Sequence, residues 1–331
     1  MAKQEKFKTA IGGQALIEGI MMRGPQKDAI VVRKGGELDI TVNERKLPPE
    51  KSIKRWPFIR GAVNFLDAQI TGVKALMHSA DLAPEEDEKA SQPSKFDAWL
   101  EKKLGDDRFQ KYLIGTAVAL GLGMSIVLFF LLPMLVSSFL GNWITSNVVL
   151  HLAEGLVRII IFVVYMLLIS NMKDMRRVFA YHGAEHKTIR CYEAGDELTV
   201  ENVRSYSRMH PRCGTSFLFV VLILSILLFS VASTGLLALV PELNMLKEET
   251  RILYNLIMIV FKLLLLPVVV SIAYEINRLV GRYDNWFTRV MTAPGMWFQH
   301  FTTKEPDDQM IEVGIASLQA VLPQEEGADR W

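Results

Sequence analysis

Cysteine is nearly absent from this chain. Cys191 and Cys213 are the only two in 331 residues, which rules out a disulfide scaffold as the source of stability. Charge of one sign is also missing. Thirty-seven Lys and Arg stand against 36 Asp and Glu, and no basic stripe is interleaved with aromatic residues, so a nucleic-acid-binding surface is not expected. The opening Met1-Ala2-Lys3-Gln4-Glu5-Lys6 has no apolar core of the kind a secretory signal needs. Neither a phosphate-binding Gly-x4-Gly-Lys-Ser/Thr loop nor a dinucleotide fingerprint occurs, and no internal repeat is visible. What the chain has in quantity is apolar. Half its residues are hydrophobic, and mean hydropathy is +0.21 although 22% of residues are charged. The apolar residues must therefore be concentrated.

Four runs hold them: Tyr112–Leu140, Val148–Ser170, Ser216–Val240 and Ile252–Tyr274. About 20 helical residues cross ~30 Å of hydrocarbon. Inside lipid the backbone must satisfy its own hydrogen bonds, so runs of this length are expected as helices. The expected fold class is mainly α: a polytopic membrane protein with about four transmembrane helices and a small N-terminal α+β region. Basic residues give the orientation. The turn Gly141–Asn147 is uncharged, whereas Lys173–Thr215 carries Lys173, Arg176, Arg177, Lys187, Arg190, Arg204, Arg208 and Arg212. In Pro241–Arg251, Lys247 and Arg251 face Glu242, Glu248 and Glu249. Lys102, Lys103, Arg108 and Lys111 precede the bundle, and Arg278 and Arg282 follow it. One assignment satisfies all of this: both termini and the second connection are cytoplasmic, and the two short turns are outside.

Residues 1–80 read as the α+β region. Ala29–Lys34 and Glu37–Val42 flank Gly35-Gly36, a hairpin signal. Pro57–Ser79 then sets Phe58, Ala62, Phe65, Leu66, Ile70, Val73, Leu76 and Met77 at helical spacing. The expectation is that this apolar face caps the hairpin; lying on the membrane surface is the alternative. Residues 81–97 form an acidic linker. Residues 98–282 make the four-helix membrane domain with its cytoplasmic loop 171–215, the last helix extending through Tyr274–Arg282. The tail, 283–331, holds a short helix around Asp307–Leu322, with Thr303 as its cap and Pro306 near its start.

The sharpest chemical signal is Tyr181-His182-Gly183-Ala184-Glu185-His186. On a helix His182, Glu185 and His186 share one face. Two imidazoles one turn apart suit a divalent metal, zinc above all, and a neighbouring carboxylate can act as general base. His-x-x-Glu-His is also the inverted zincin pattern, although Gly183 lowers helix propensity within it. Cys191 follows, then His210-Pro211-Arg212-Cys213. His182, His186, His210, Cys213 and Cys191 are thus the candidate ligands, three or four of which would complete a tetrahedral site in a reducing compartment. Ordinary hydrogen bonding at a membrane surface is the bland alternative.

A second stretch, Ile11–Pro25, places Gly12, Gly13, Gly19 and Gly24 among Gln14, Glu18 and Arg23; its spacing reads as a bulged strand more readily than as a site. Within the spans, Glu154 and Arg158 stand at i, i+4 and read as a structural ion pair. Lys262 sits midway along the fourth run, facing either the bundle interior or a polar cavity. Pro133 and Pro267 mark kinks.

Gly12–Pro25, Tyr181–Thr188, His210–Phe217 and Thr302–Asp308 together resemble the motifs of the YqhQ-like family of bacterial membrane proteins, and the likeness covers about residues 8–320. That family is a domain of unknown function described as a predicted metal-dependent enzyme. The resemblance implies that Glu18, His182, Glu185, His186, His210 and Cys213 lie in its characteristic motifs. It also leaves membrane-protein biogenesis open as a role, with membrane or translation-linked proteins as partners beside the lipid bilayer.

The leading expectation is a metal-dependent hydrolase acting at the cytoplasmic face on peptide or lipid. Glu185 would activate water, and Glu18 would support the site or contact substrate. A non-enzymatic scaffold or assembly factor, stapled by a structural metal or polar cluster, is the alternative; a small transporter using Lys262 and Glu154 is the second. The orientation makes a direct prediction. A cysteine placed at Asn142 should react with a membrane-impermeant reagent added to intact cells, and one at Asp196 should not. The opposite pattern would reverse the topology.

Overall fold

The protein is described from a computed structural model covering residues 6–49, 51–82, 106–144, 146–325 and 327–330. From residue 83 onward the expected acidic linker lies outside the described residues. Among the described residues, four helices are long and apolar enough to cross a membrane: Gly115–Leu140, Val149–Ser170, Gly214–Leu239 and Arg251–Arg282. Together with a small antiparallel sheet they give the mainly α polytopic fold expected from the hydropathy pattern. The chain divides into two compact units. One comprises Met1–Ala83, Val164–Leu228 and Leu263–Trp331; the other comprises Pro84–Val163 and Phe229–Lys262.

The first unit is built on a sheet of strands β1 (Gly12–Leu16), β2 (Gly19–Arg23), β3 (Lys27–Lys34) and β4 (Glu37–Glu44), paired antiparallel in that order. Gly35 and Gly36 close the β3–β4 hairpin with φ of 57° and 98°, the left-handed pair a two-residue primed turn requires. The stretch read as a bulged strand is instead a second tight hairpin. Gly12 to Leu16 pair in unbroken register with Arg23 to Gly19, and the chain reverses at Ile17-Glu18.

The pleat sends alternate residues of β2 and β3 to opposite faces. Met21, Ile30 and Val32 join Leu16 and Ala75 on one side. Ile20, Met22, Ala29 and Val31 pack on the other side against Ala184, Val313, Leu318 and Val321. Each fully buried large aliphatic side chain contributes about 1.5–3 kcal/mol. The layers outside the sheet are therefore helix α1 (Ile59–Leu82) on the first face, and α5 (Lys173–Glu193) with α11 (Asp308–Val321) on the second. Helix α1 does cap the sheet, but not through its large apolar residues. Gly72, Ala75 and Ser79 make the buried edge, while Leu66, Ile70, Val73 and Leu76 are exposed.

After β4, α1 and the long connection, the chain forms α2 (Asp106–Ile126), a π-helical turn Val127–Leu131, α3 (Leu132–Leu140) and α4 (Asn147–Ser170). Then come α5, the short α6 (Val200–Arg204), α7 (Gly214–Leu239), α8 (Glu242–Glu249) and α9 (Arg251–Arg282). The C-terminal stretch holds two helices rather than the one expected: α10 (Trp286–Thr302) precedes α11. The cap of α11 is Asp307, whose side chain accepts from the Met310 N–H, whereas Thr303 closes the end of α10.

In the second unit a charge cluster is buried among the spans. Glu154 Oε1 accepts from Arg158 at 2.9 Å and from the Lys262 ammonium. Lys262 is thus buried in the bundle, on the wall of a pocket it shares with His151 and Glu154. Arg158 Nε also donates 2.7 Å to the Phe129 carbonyl, the acceptor that Pro133, four residues on and lacking an N–H, cannot serve. One carboxylate holds two buried cations, so removing it is costlier than removing either cation. Glu154→Gln should lower stability by about 3–5 kcal/mol, and Lys262→Gln by less because the Glu154–Arg158 pair survives. Thermal midpoints of the two detergent-solubilised variants test this ranking.

Candidate metal centre

Helix α5 is polar in composition yet buried from Phe179 to Glu193, only His182, Arg190 and Tyr192 retaining partial exposure. Sheet, α11 and α6 enclose it, and the α10–α11 loop crosses it. Glycines permit that approach. A Cβ on Gly183 would stand 2.0 Å from the Lys304 carbonyl oxygen, and one on Gly13 would stand 2.8 Å from Glu185 Cδ. The glycine that weakens helix propensity within His182–His186 is thus the one that admits the crossing loop, and α5 runs through it unbroken. Lys304 N–H donates 2.7 Å to the Phe179 carbonyl and fixes the crossing.

His182, His186 and Cys213 converge here: one ligand atom from each lies within 4.8 Å of the others. His182 Nε2 is 3.2 Å from Cys213 Sγ. Both imidazoles are oriented from behind. His182 Nδ1 lies 2.8 Å from the Thr302 carbonyl and His186 Nδ1 lies 2.6 Å from the Arg208 carbonyl. A carbonyl can only accept, so each Nδ1 carries the proton and each Nε2 presents a lone pair toward the cluster. The buried Nε2 of His186 has no hydrogen-bond partner. Burial lowers the His186 pKa to about 4, leaving the ring neutral as a ligand must be. Burial opposes ionisation of Cys213, yet the thiol is held below its ordinary pKa, with Thr215 N–H and Oγ1 donating to Sγ at 3.5 and 3.3 Å.

Glu185 flanks the cluster. Its Oε1 accepts 3.0 Å from the Gly13 N–H of β1, and its buried Oε2 has no partner. Burial raises its pKa to about 7, against a lowering pull from His182. His210 and Cys191, named with the ligands from sequence, face elsewhere. His210 stacks 5.6 Å from the His186 ring but gives its Nε2 to Glu193 at 3.2 Å. Gln299 clamps both backbone groups of His210 at 2.8 Å, which positions the segment leading to Cys213. Cys191 Sγ contacts the Glu197 carbonyl at 3.5 Å within a separate apolar cluster. Glu18 sits at the β1–β2 turn with φ of 52°, paired with Arg177 and accepting 3.1 Å from the Tyr181 hydroxyl, one residue before His182.

The family model described as a protein of unknown function, DUF1385, matches residues 56–324. The chain belongs to the DUF1385 family. It is also 31% identical over 325 residues to an uncharacterized protein, YqhQ, of Bacillus subtilis strain 168, across 96% of this chain and 94% of that one. No solved structure matches it. The DUF1385 match takes in His182, Glu185, His186 and Cys213 but begins after Gly13 and Glu18.

Sequence reasoning did not find Thr302, Arg208, Gln299 or the Gly13 amide. Three of the four act through backbone atoms, which leave no mark in residue type, and Gln299 acts through a side-chain amide far away in the chain. Gly183→Ala provides the test of this packing. Its Cβ would displace the Lys304 carbonyl and, with it, the Thr302 tether of His182. The expected loss is about 1–3 kcal/mol or more, read as a lowered thermal midpoint, whereas Gly12→Ala, whose Cβ meets nothing within 4 Å, should leave it unchanged.

Proposed function

We propose that this protein is a membrane-bound, zinc-dependent hydrolase with His182, His186 and Cys213 as ligands and Glu185 as general base. One observation carries the reading. Three good zinc donors converge with their imidazoles pre-oriented by backbone carbonyls, and a buried carboxylate oxygen beside them has no partner. Three protein ligands with a carboxylate alongside is the donor set of catalytic rather than structural zinc. A bound zinc ion would polarise a substrate carbonyl or phosphoryl group and acidify water. The chain's own part is then defined. The Gly13 amide holds Glu185 Oε1, Oε2 remains to take a proton, and the raised pKa suits a group that must accept and return one near neutrality. The basic residues of 173–212 support placing this site on the cytoplasmic face.

A second reading has its own support. Glu185, His186 and Cys213 are all buried, and Glu185 as fourth ligand would close a tetrahedral structural site, stapling a scaffold or assembly factor. Metal content and function separate the two. For the hydrolase, Cys213→Ser and His186→Ala should lose bound zinc and Cys191→Ser should keep it. Glu185→Gln should stay zinc-replete yet fail to complement a deletion strain, general-base loss being worth about 10²–10⁴-fold in turnover. A Glu185→Gln protein that loses zinc supports the structural site. One that keeps zinc and complements fully contradicts the hydrolase.

A further inference from the structure

Helix α10 carries its residues in an unusual sense. The stripe it buries is small or polar, Thr288, Thr292, Gly295, Gln299 and Thr302 with the single large Phe298. Its outer face is Trp286, Phe287, Val290 and Trp297, all exposed, Trp286 by 76%. A helix packing only on its own protein would place those rings inward. Its height relative to the start of span α7 is fixed by two contacts. A Cβ on Gly295 would meet Ser216, and the Phe298 ring lies 5.0 Å from Phe219; both partners are in the first two turns of span α7. The aromatic face is therefore level with the end of a membrane-crossing helix, where Trp rings are at home between acyl chains and headgroups.

Behind α10 lies a cavity of about 1140 Å³, larger than most small-metabolite sites. Five cations line it, Lys6, Lys8, Arg190, Arg212 and Arg289, against one carboxylate, Asp284. Arg289 pairs with Asp284 at 2.9 Å, and Arg212 pairs with Glu193 behind the wall. Positive charge remains in excess. Seven of the other eleven lining residues are apolar, Phe7, Val280, Met296 and Trp297 among them, and the remaining four are Tyr283, Thr288, Thr292 and His300. A basic pole beside an apolar wall, next to a helix with a lipid-facing aromatic edge, fits an amphiphile with an anionic head.

We propose that this cavity binds an anionic phospholipid, with the phosphate among Lys6, Lys8 and Arg289 and an acyl chain along Val280, Met296 and Trp297. The chemistry of a free phosphate is the same at the head, but it would leave the apolar wall and the aromatic edge of α10 without a role. The site is independent of the metal reading and stands whether or not zinc is bound.

Native mass spectrometry of the detergent-purified full chain, titrated with phosphatidylglycerol or phosphatidylcholine, tests it. Phosphatidylglycerol adducts should survive activation at least ten times better than phosphatidylcholine adducts. Lys8→Glu/Arg289→Glu should abolish that preference, while Lys34→Glu, a charge change on the exposed β3–β4 hairpin, should retain it. Phosphatidylglycerol should also raise the thermal midpoint of the wild type, a readout that does not depend on the double variant folding. Equal retention of the two lipids, or no loss in the double variant, would overturn the proposal. So would displacement of the lipid by inorganic phosphate at equal concentration, which would mark a soluble phosphate site instead.

Discussion

Two hydrogen bonds on the back of two imidazoles organise the centre of this protein. The Thr302 and Arg208 carbonyls accept from Nδ1 of His182 and His186, and both carbonyls belong to segments outside α5. Each bond fixes a tautomer and a ring orientation at once. For the bonds to form, the α10–α11 loop must cross α5 at van der Waals distance, and the 205–213 segment must fold back along it. Much of the first unit is the means of holding those two segments in place. Gly183 clears the crossing point, Lys304 is anchored on Phe179, and Gln299 grips His210 from α10. Lys187, buried and ion-paired with Glu305, secures the loop from the same helix.

Burying so polar a helix is expensive unless each polar group finds a partner. Along α5 most do: Thr188 bonds to Ala184, Lys187 to the Arg204 carbonyl, and Glu193 to Thr9, His210 and Arg212. The buried exceptions on this helix are Glu185 Oε2 and His186 Nε2. Both belong to the His-x-x-Glu-His face, beside Cys213. In the proposed reading, these two otherwise unpaired groups lie where the metal ion and its water would be held.

The spans and the Gly35-Gly36 hairpin were legible because each is dictated locally, by an apolar run of bilayer length or by a turn that needs two left-handed residues. The shared face of His182, Glu185 and His186 was legible for the same reason, since helical spacing sets it. Cys213 was nameable as a donor but could not be separated from Cys191 and His210. All three are 5–27 residues from the motif in the chain, and only the fold turns one of them toward it. Helix α10 escaped notice because its pattern is inverted, with small residues inward and rings outward. The same inversion in α1 made its large apolar residues read as a core face. In both helices most of the packing edge is Gly, Ala, Ser or Thr, which hydrophobic periodicity does not register.

The proposed function depends on His182, His186 and Cys213 sharing one metal ion. X-ray absorption at the zinc edge of the purified full-length protein tests it most directly. The account predicts one sulfur at about 2.3 Å and two imidazole nitrogens at about 2.0–2.1 Å, with the sulfur shell gone in Cys213→Ser and kept in Cys191→Ser. A spectrum of nitrogen and oxygen neighbours alone, or a sulfur shell that survives Cys213→Ser, would contradict it.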